Sequence, residues 1–215
     1  MQFLLLALPV LIFSVVVHEV AHGWVARTQG DSTAYMLGRL SLNPIPHIDP
    51  VGSIVVPAIL ALMHAPVLGW AKPVPVNPRN FRNYKRGDIL VSLAGVAANF
   101  VLAILFTLVL AAVEWGARLA PDTGMTWPIL HAMAYYGVEI NFILMLFNLI
   151  PIPPLDGSHV FAYLLPTRWA IRYRQIGFGG MIILLLLLSF GGFNFLFVPL
   201  DWLMGFSQHL QQLLV

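Results

Sequence analysis

Residues 3–22 read FLLLALPVLIFSVVV followed by HEVAH: Phe3 to Val17 is almost wholly apolar, and His18-Glu19-Val20-Ala21-His22 follows directly. Apolar residues resume at Trp24, Val25 and Ala26, so two histidines and a glutamate lie inside a stretch that belongs in a membrane. Ionisable groups at that depth are costly and mark function. On a helix, positions i and i+4 share a face, so His18 and His22 can both reach one metal ion. Glu19 then sits beside the metal, placed to take a proton from a bound water. The stretch predicts a hydrolytic zinc site within a bilayer.

Composition agrees. Of 215 residues, 59% are hydrophobic and 9% charged, where a soluble domain carries about 25% charged residues. Mean hydropathy is +0.84. We expect one compact membrane domain over residues 1–215, without a soluble appendage. The chain has no cysteine, which excludes disulfides, thiol nucleophiles and thiolate zinc ligands, so a metal must rely on histidine and carboxylate. The sequence pI near 9.2 does not point to nucleic acid, because the basic residues sit in loops beside apolar spans, as membrane orientation requires. The N-terminus lacks a basic leader and a small-residue cleavage site, and reads as a retained transmembrane helix.

Further spans are expected from Ile89 to about Trp115, from about Pro128 to Ile150, and from Ile176 to about Phe197, with a short amphipathic tail to Val215. Thr28 to Pro50 is punctuated by Gly and Pro, and Tyr35, Leu37, Leu40 and Leu42 alternate with Gly38 and Ser41, which predicts short extended segments. Gly69 to Asp88, rich in Pro, Asn and basic residues, reads as a surface loop. Catalytic zinc usually has three protein ligands and an open position. Asp156, in Pro153-Pro154-Leu155-Asp156-Gly157, stands at a span end where prolines break the helix. It reads either as a capping carboxylate or as a third ligand.

Together, His18-Glu19-Val20-Ala21-His22 and Asn148-Leu149-Ile150-Pro151-Ile152-Pro153-Pro154-Leu155-Asp156-Gly157 resemble the two motifs of the site-2 intramembrane metalloproteases, HExxH and N-x-x-P-x-x-x-L-D-G. Gly95-Val96-Ala97-Ala98-Asn99 matches a third, G-P-x-x-N, with valine in place of proline. The segments GRLSLNP and GWAKPVPVNP look like compact prokaryotic-type members without PDZ or CBS domains. The resemblance implies one zinc ion on His18, His22 and Asp156, Glu19 as general base, and Asn148 against substrate or oxyanion. It implies peptide-bond hydrolysis in or near transmembrane segments of membrane-protein substrates. Gly95 and Asn99 read as close helix packing and a polar contact across helices.

Topology follows from the site. His18 and His22 lie in the C-terminal half of their span, and Asp156 at the C-terminal end of its own. To share a metal the two helices must run parallel, so the chain crosses once between them, at Ile89 to Trp115. Val51 to Trp70 then enters and leaves on one side as a re-entrant segment, which Pro57 and Pro66 suit. This arrangement puts Arg27, Arg39, Lys72, Arg79, Arg82, Lys85, Arg86, Arg168, Arg172 and Arg174 on one side and Arg118 alone on the other, making the crowded side cytoplasmic. The expected fold is all-α and polytopic, with about four spanning helices, the re-entrant segment and short β-like segments at the cytoplasmic side.

Exposed extended backbone in Gly38 to Pro46 or Trp70 to Asn77 could capture an unwound substrate by strand addition. His47 and Asp49 are either partners of a ligand histidine or loop residues. His159 reads as interfacial, and His64 as lining a water path or resting at an interface. Glu139 lies too far along its helix from Asn148 to be catalytic. The competing functions are a metal-ion transporter, whose ligands would be spread along a path, and a catalytically silent homologue that binds membrane proteins.

Overall fold

The computed structural model describes residues 2–64, 69–120, 124–177 and 179–215, with helices and irregular segments but no strand among them. Pro66 lies outside the described residues. Helix α1 spans Gln2–Gln29, α2 Thr33–Met36, α3 Val56–Leu62, α4 Tyr84–Leu119 and α5 Thr126–Asn148. Further elements are a π-helical turn at Pro50–Val55, α6 Asp156–Ala162, α7 Thr167–Gln175, α8 Gly179–Ser189 and α9 Phe197–Leu214.

Among the described residues three helices, α1, α4 and α5, are long and apolar enough to cross a membrane, or four spans if the bent pair α7 and α8 counts as one. At 1.5 Å per residue, the 28 residues of α1 run about 42 Å, beyond the roughly 30 Å of a hydrocarbon core. Helix α4 begins five residues before the expected Ile89, because the Asn83 side chain accepts the Arg86 N–H at 3.0 Å and caps it there. The expected loop at Tyr84 to Asp88 is therefore helical. Helix α5 stops at Asn148, just ahead of Pro151 and the Pro153-Pro154 pair, which cannot donate backbone hydrogen bonds.

The three long helices form the core. Val96 and Ala103 of α4 meet Val138, Phe142 and Met145 of α5. Contacts fix their directions. Ser14 of α1 meets Asn141 of α5, and His18 meets Asp156 further on, so α1 and α5 run parallel. Helix α4 is antiparallel to both, since His18 meets Asn99 and His22 meets Val91. The connection between α1 and α4 returns to its starting end, where the Arg82 N–H donates to the Gln29 carbonyl at 2.9 Å. Within it the chain also closes on itself, the Trp70 N–H reaching the Gly52 carbonyl at 3.1 Å. The run Pro50–Leu62 between them is a short apolar helix, not one of the three span-length helices.

Two expectations are corrected. Tyr35 is not extended: Asp31 accepts the N–H and the hydroxyl of Thr33, and this turn starts α2. No β-like segment forms among the described residues, because the Trp70 to Asn77 backbone bonds to scattered partners. Lys72 N–H goes to the His47 carbonyl, Val74 N–H to Glu19 and Asn77 N–H to Asp31, while Pro73 and Pro75 have none to give.

The last apolar region also differs from a single span at Ile176 to Phe197. Helix α8 ends at Ser189, and the expected tail is the 18-residue α9. Leu200 joins the core beside Val96, the Ser207 hydroxyl meets Thr107 at 2.7 Å, and Arg118 donates to the Val215 carbonyl at 2.9 Å. Numbers rise together along both helices, so α9 lies along α4 in the same direction.

Candidate metal centre

His18 and His22 stand one turn apart on α1, and Asp156 opens α6 just after the proline break. Among the described residues these form one cluster able to hold a metal, with ligand atoms within 4.8 Å of one another. His18 Nε2 lies 3.1 Å from His22 Nε2. Asp156 Oδ2 is 3.2 Å from the first and 3.4 Å from the second. The three side chains are 9%, 12% and 18% exposed.

Hydrogen bonds on the far side of each ring fix its tautomer. His22 Nδ1 faces the Val91 carbonyl at 2.7 Å, which can only accept, so Nδ1 carries the proton. His18 Nδ1 faces Asn99 Oδ1 and donates to it. Each neutral ring then turns an Nε2 lone pair toward Asp156. Three electron-rich atoms meet with no proton between them, and Asp156 Oδ2 is buried without a hydrogen-bond partner. Such a triangle is repulsive alone and stable around a cation. At zinc–ligand bonds of about 2.0–2.1 Å, tetrahedral ligands stand about 3.3 Å apart, so the donor set fits zinc in both spacing and chemistry.

Helix α4 grips both rings through one stripe. Val91, Gly95 and Asn99 are spaced four apart and share a face. Val91 and Asn99 hold the two Nδ1 atoms, and Gly95 leaves room for the rings: a Cβ there would lie 2.4 Å from His18 Cε1 and 2.6 Å from His22 Nε2. Gly95 is more than a packing residue, since it lies against the two candidate ligand rings.

A cavity of about 530 Å³ borders the cluster. Glu19 and Asn148 line it together with His18, His22 and Asp156. Glu19 Oε2 accepts the Val74 N–H at 2.8 Å, leaving its other oxygen for chemistry. Asn148 donates one amide hydrogen to the Leu144 carbonyl at 3.0 Å and keeps a second. Gly69, Trp70, Pro73 and Val76 form part of the wall.

Other expected candidates separate from the cluster. Asp49 accepts Val51 and Gly52 N–H groups and caps the π-helical turn, and His47 reaches the Ser41 carbonyl, so neither orients a ligand histidine. His64 is exposed at the end of α3, and Glu139 does not line the cavity. His159 lines it but pairs with Asp88 at 3.3 Å. Asp88 was not singled out by the sequence. It is 5% exposed and also accepts the Tyr163 hydroxyl at 2.8 Å, tying α4 to α6.

Outside the site, Asp31 is fully buried. Burial alone would raise its pKa, but the Thr33 hydroxyl, the Asn77 N–H and the Asn80 amide outweigh that and hold it below the ordinary carboxylate value. It anchors the segment that carries Val74 to Glu19.

The model of Peptidase family M50 matches residues 119–188, which include the Asn148 to Gly157 segment. The chain is 38% identical to "Putative zinc metalloprotease YwhC" of Bacillus subtilis, over 82% of this chain and 77% of the relative. It is 26% identical to "Putative zinc metalloprotease Rip2" of Mycolicibacterium smegmatis, over 91% of this chain and 71% of that one. Rip2 of Mycobacterium tuberculosis is 31% identical over 67% of this chain and 51% of its own length. No solved structure matches. With over a third of residues shared across most of both chains, and the His, His and Asp donors of this chain drawn to one point, the chain belongs to peptidase family M50, the site-2 family of intramembrane zinc metalloproteases.

Proposed function

We propose that residues 1–215 form one intramembrane endopeptidase domain in which His18, His22 and Asp156 hold a single zinc ion and Glu19 is the general base. The observation that carries this reading is the triangle of unprotonated donors 3.1–3.4 Å apart, with both Nδ1 atoms committed elsewhere. A zinc ion bound there supplies Lewis acidity toward water and the scissile carbonyl. Glu19 takes a proton from the attacking water at its free carboxylate oxygen and delivers it to the departing amine as the C–N bond breaks. Asn148 directs its second amide hydrogen into the cavity, toward the carbonyl oxygen of the substrate.

The substrates are membrane proteins, and their helices must unwind before a carbonyl can reach this point. Four crossings go with this reading: α1, α4, α5 and one through the last apolar region, which begins at Ile176. Val51 to Trp70 is re-entrant, a reading supported by the Trp70 N–H on the Gly52 carbonyl. Ten of the eleven Lys and Arg residues in the sequence then share the side that holds the zinc, which is cytoplasmic. Convergence of the ligands on one point disfavours a transport path.

Glu19→Gln tests the assignment. Purified wild type should contain near-stoichiometric zinc and cleave a single-span substrate, whereas the variant should keep its zinc and lose cleavage. Full zinc retention after changing both His18 and His22 to Ala would overturn the ligand set.

A further inference from the structure

We propose that Asn141, which touches neither metal ligand nor cavity, is a positioning residue that selects the tautomer of His18 through Asn99. The inference rests on His18 being a zinc ligand. An imidazole can ligate through Nε2 only while its proton is on Nδ1, so whatever faces Nδ1 decides whether the ring is competent. Asn99 faces it, and an amide can present either end. With its oxygen toward His18, the ring keeps its proton on Nδ1. With its amine toward His18, the ring must accept there and carry its proton on Nε2, where the metal belongs.

The orientation of Asn99 is set one residue further away. Asn99 Nδ2 donates to Asn141 Oδ1 at 2.9 Å. Asn141 Nδ2 donates to the Ser14 hydroxyl and to the Gly137 carbonyl, each at 2.8 Å. A carbonyl accepts and never donates, so Gly137 fixes the amine end of Asn141. That leaves the Asn141 oxygen for Asn99, which turns the Asn99 oxygen to His18. The direction of every bond in the chain is thus dictated by one backbone carbonyl of α5. Ser14, Asn99 and Asn141 are all 0% exposed, one from each long helix, so no water competes. Ser14 precedes His18 by one turn on the same face of α1.

Two variants separate orientation from packing. Asn141→Leu fills the space but leaves the Asn99 amine without an acceptor, which favours its rotation toward His18. Asn141→Asp keeps an oxygen for Asn99 whether or not it is ionised. Zinc affinity, read by chelator competition on detergent-solubilised full-length protein, should fall roughly 10- to 100-fold in Asn141→Leu, the usual effect of removing a partner behind a ligand. It should stay within about threefold of wild type in Asn141→Asp. In metal-free protein with 15N-labelled histidine, the His18 ring should be protonated at Nδ1 in wild type and in Asn141→Asp, and at Nε2 in Asn141→Leu. An unchanged His18 tautomer in Asn141→Leu, or an equal loss of affinity in both variants, overturns the proposal. If Asn141→Leu does not fold, an Nε2–H ring in wild type or Asn141→Asp overturns it on its own. A tautomer change without loss of zinc would instead show that His18 is not a ligand.

Discussion

Replacing Gly95 by Ala is a small change that should weaken the metal centre. The added Cβ would sit 2.4 Å from His18 Cε1, 2.5 Å from His18 Nε2 and 2.6 Å from His22 Nε2. Carbon atoms rest about 3.5–4.0 Å from their neighbours, so the rings must retreat by about 1 Å. A ring tip is ordinarily free to yield, but here both Nδ1 atoms are pinned by Val91 and Asn99 of the same helix. Metal–ligand distances tolerate about 0.2 Å. Overpacking of this kind costs about 1–3 kcal/mol, which, spent on ligand geometry, weakens zinc binding about 10- to 100-fold. Chelator competition measures this directly, and helicity of the metal-free variant checks that the bundle still assembles. Gly95→Ala protein that binds zinc as tightly as wild type would refute the claim that this glycine makes room for the ligands.

Asn148→Ala should lower turnover on a validated substrate about 100- to 1,000-fold with zinc content unchanged, the usual effect of losing an oxyanion donor; unchanged turnover would leave Asn148 as a helix contact. Asp31→Asn should lower thermal stability above pH 5, because charge-assisted bonds contribute about 1.5–3 kcal/mol each. The sign follows from the lowered pKa. The stabilisation is fully present above the ordinary carboxylate value of about 3.9 and is lost only as pH falls through the lower folded value, so wild type and variant should converge only in strong acid. Cysteines introduced at Gln29 and Asn80 should label from the same side of the membrane, and labelling from opposite sides would end the re-entrant assignment of Val51 to Trp70.

That His18 and His22 share one face of α1 was legible because a four-residue spacing on a helix leaves little freedom. The parallel course of α1 and α5 was legible for a related reason: a shared metal would need two helix ends at one depth. What lay behind the ligands was not, since it depends on which helix faces meet. Val91 acts through its backbone carbonyl, and Gly95 by having no side chain, so neither carries a chemical signal. Ser14 and Asn141 did carry one, as polar residues in apolar runs, Ser14 one turn before His18. Asp88 was hidden by reading Tyr84 to Asp88 as loop, because the Asn83 cap is a single hydrogen bond in a Pro- and Asn-rich stretch. Tyr35, read as extended, sits in a helical turn that Asp31 starts, and the Trp70 to Asn77 backbone bonds to scattered partners instead of a neighbouring strand.

Inside a bilayer every unpaired polar group is costly, so the distribution of paired and unpaired groups is itself informative. Along the packed faces of α1, α4, α5 and α9, Ser14, Asn99 and Asn141 bond to one another, and Thr107 is shared between Ser207 and the Ala103 carbonyl. Each ring Nδ1 is matched as well. The exception at this centre is Asp156 Oδ2, buried against two nitrogen lone pairs. Where α1, α4 and α5 pair these polar groups with one another, the Asp156 oxygen left unmatched among them fits a cation. Pairing behind the ligands and the gap between them are therefore one arrangement: the outer bonds hold the protons on Nδ1, and that choice removes every proton from the centre.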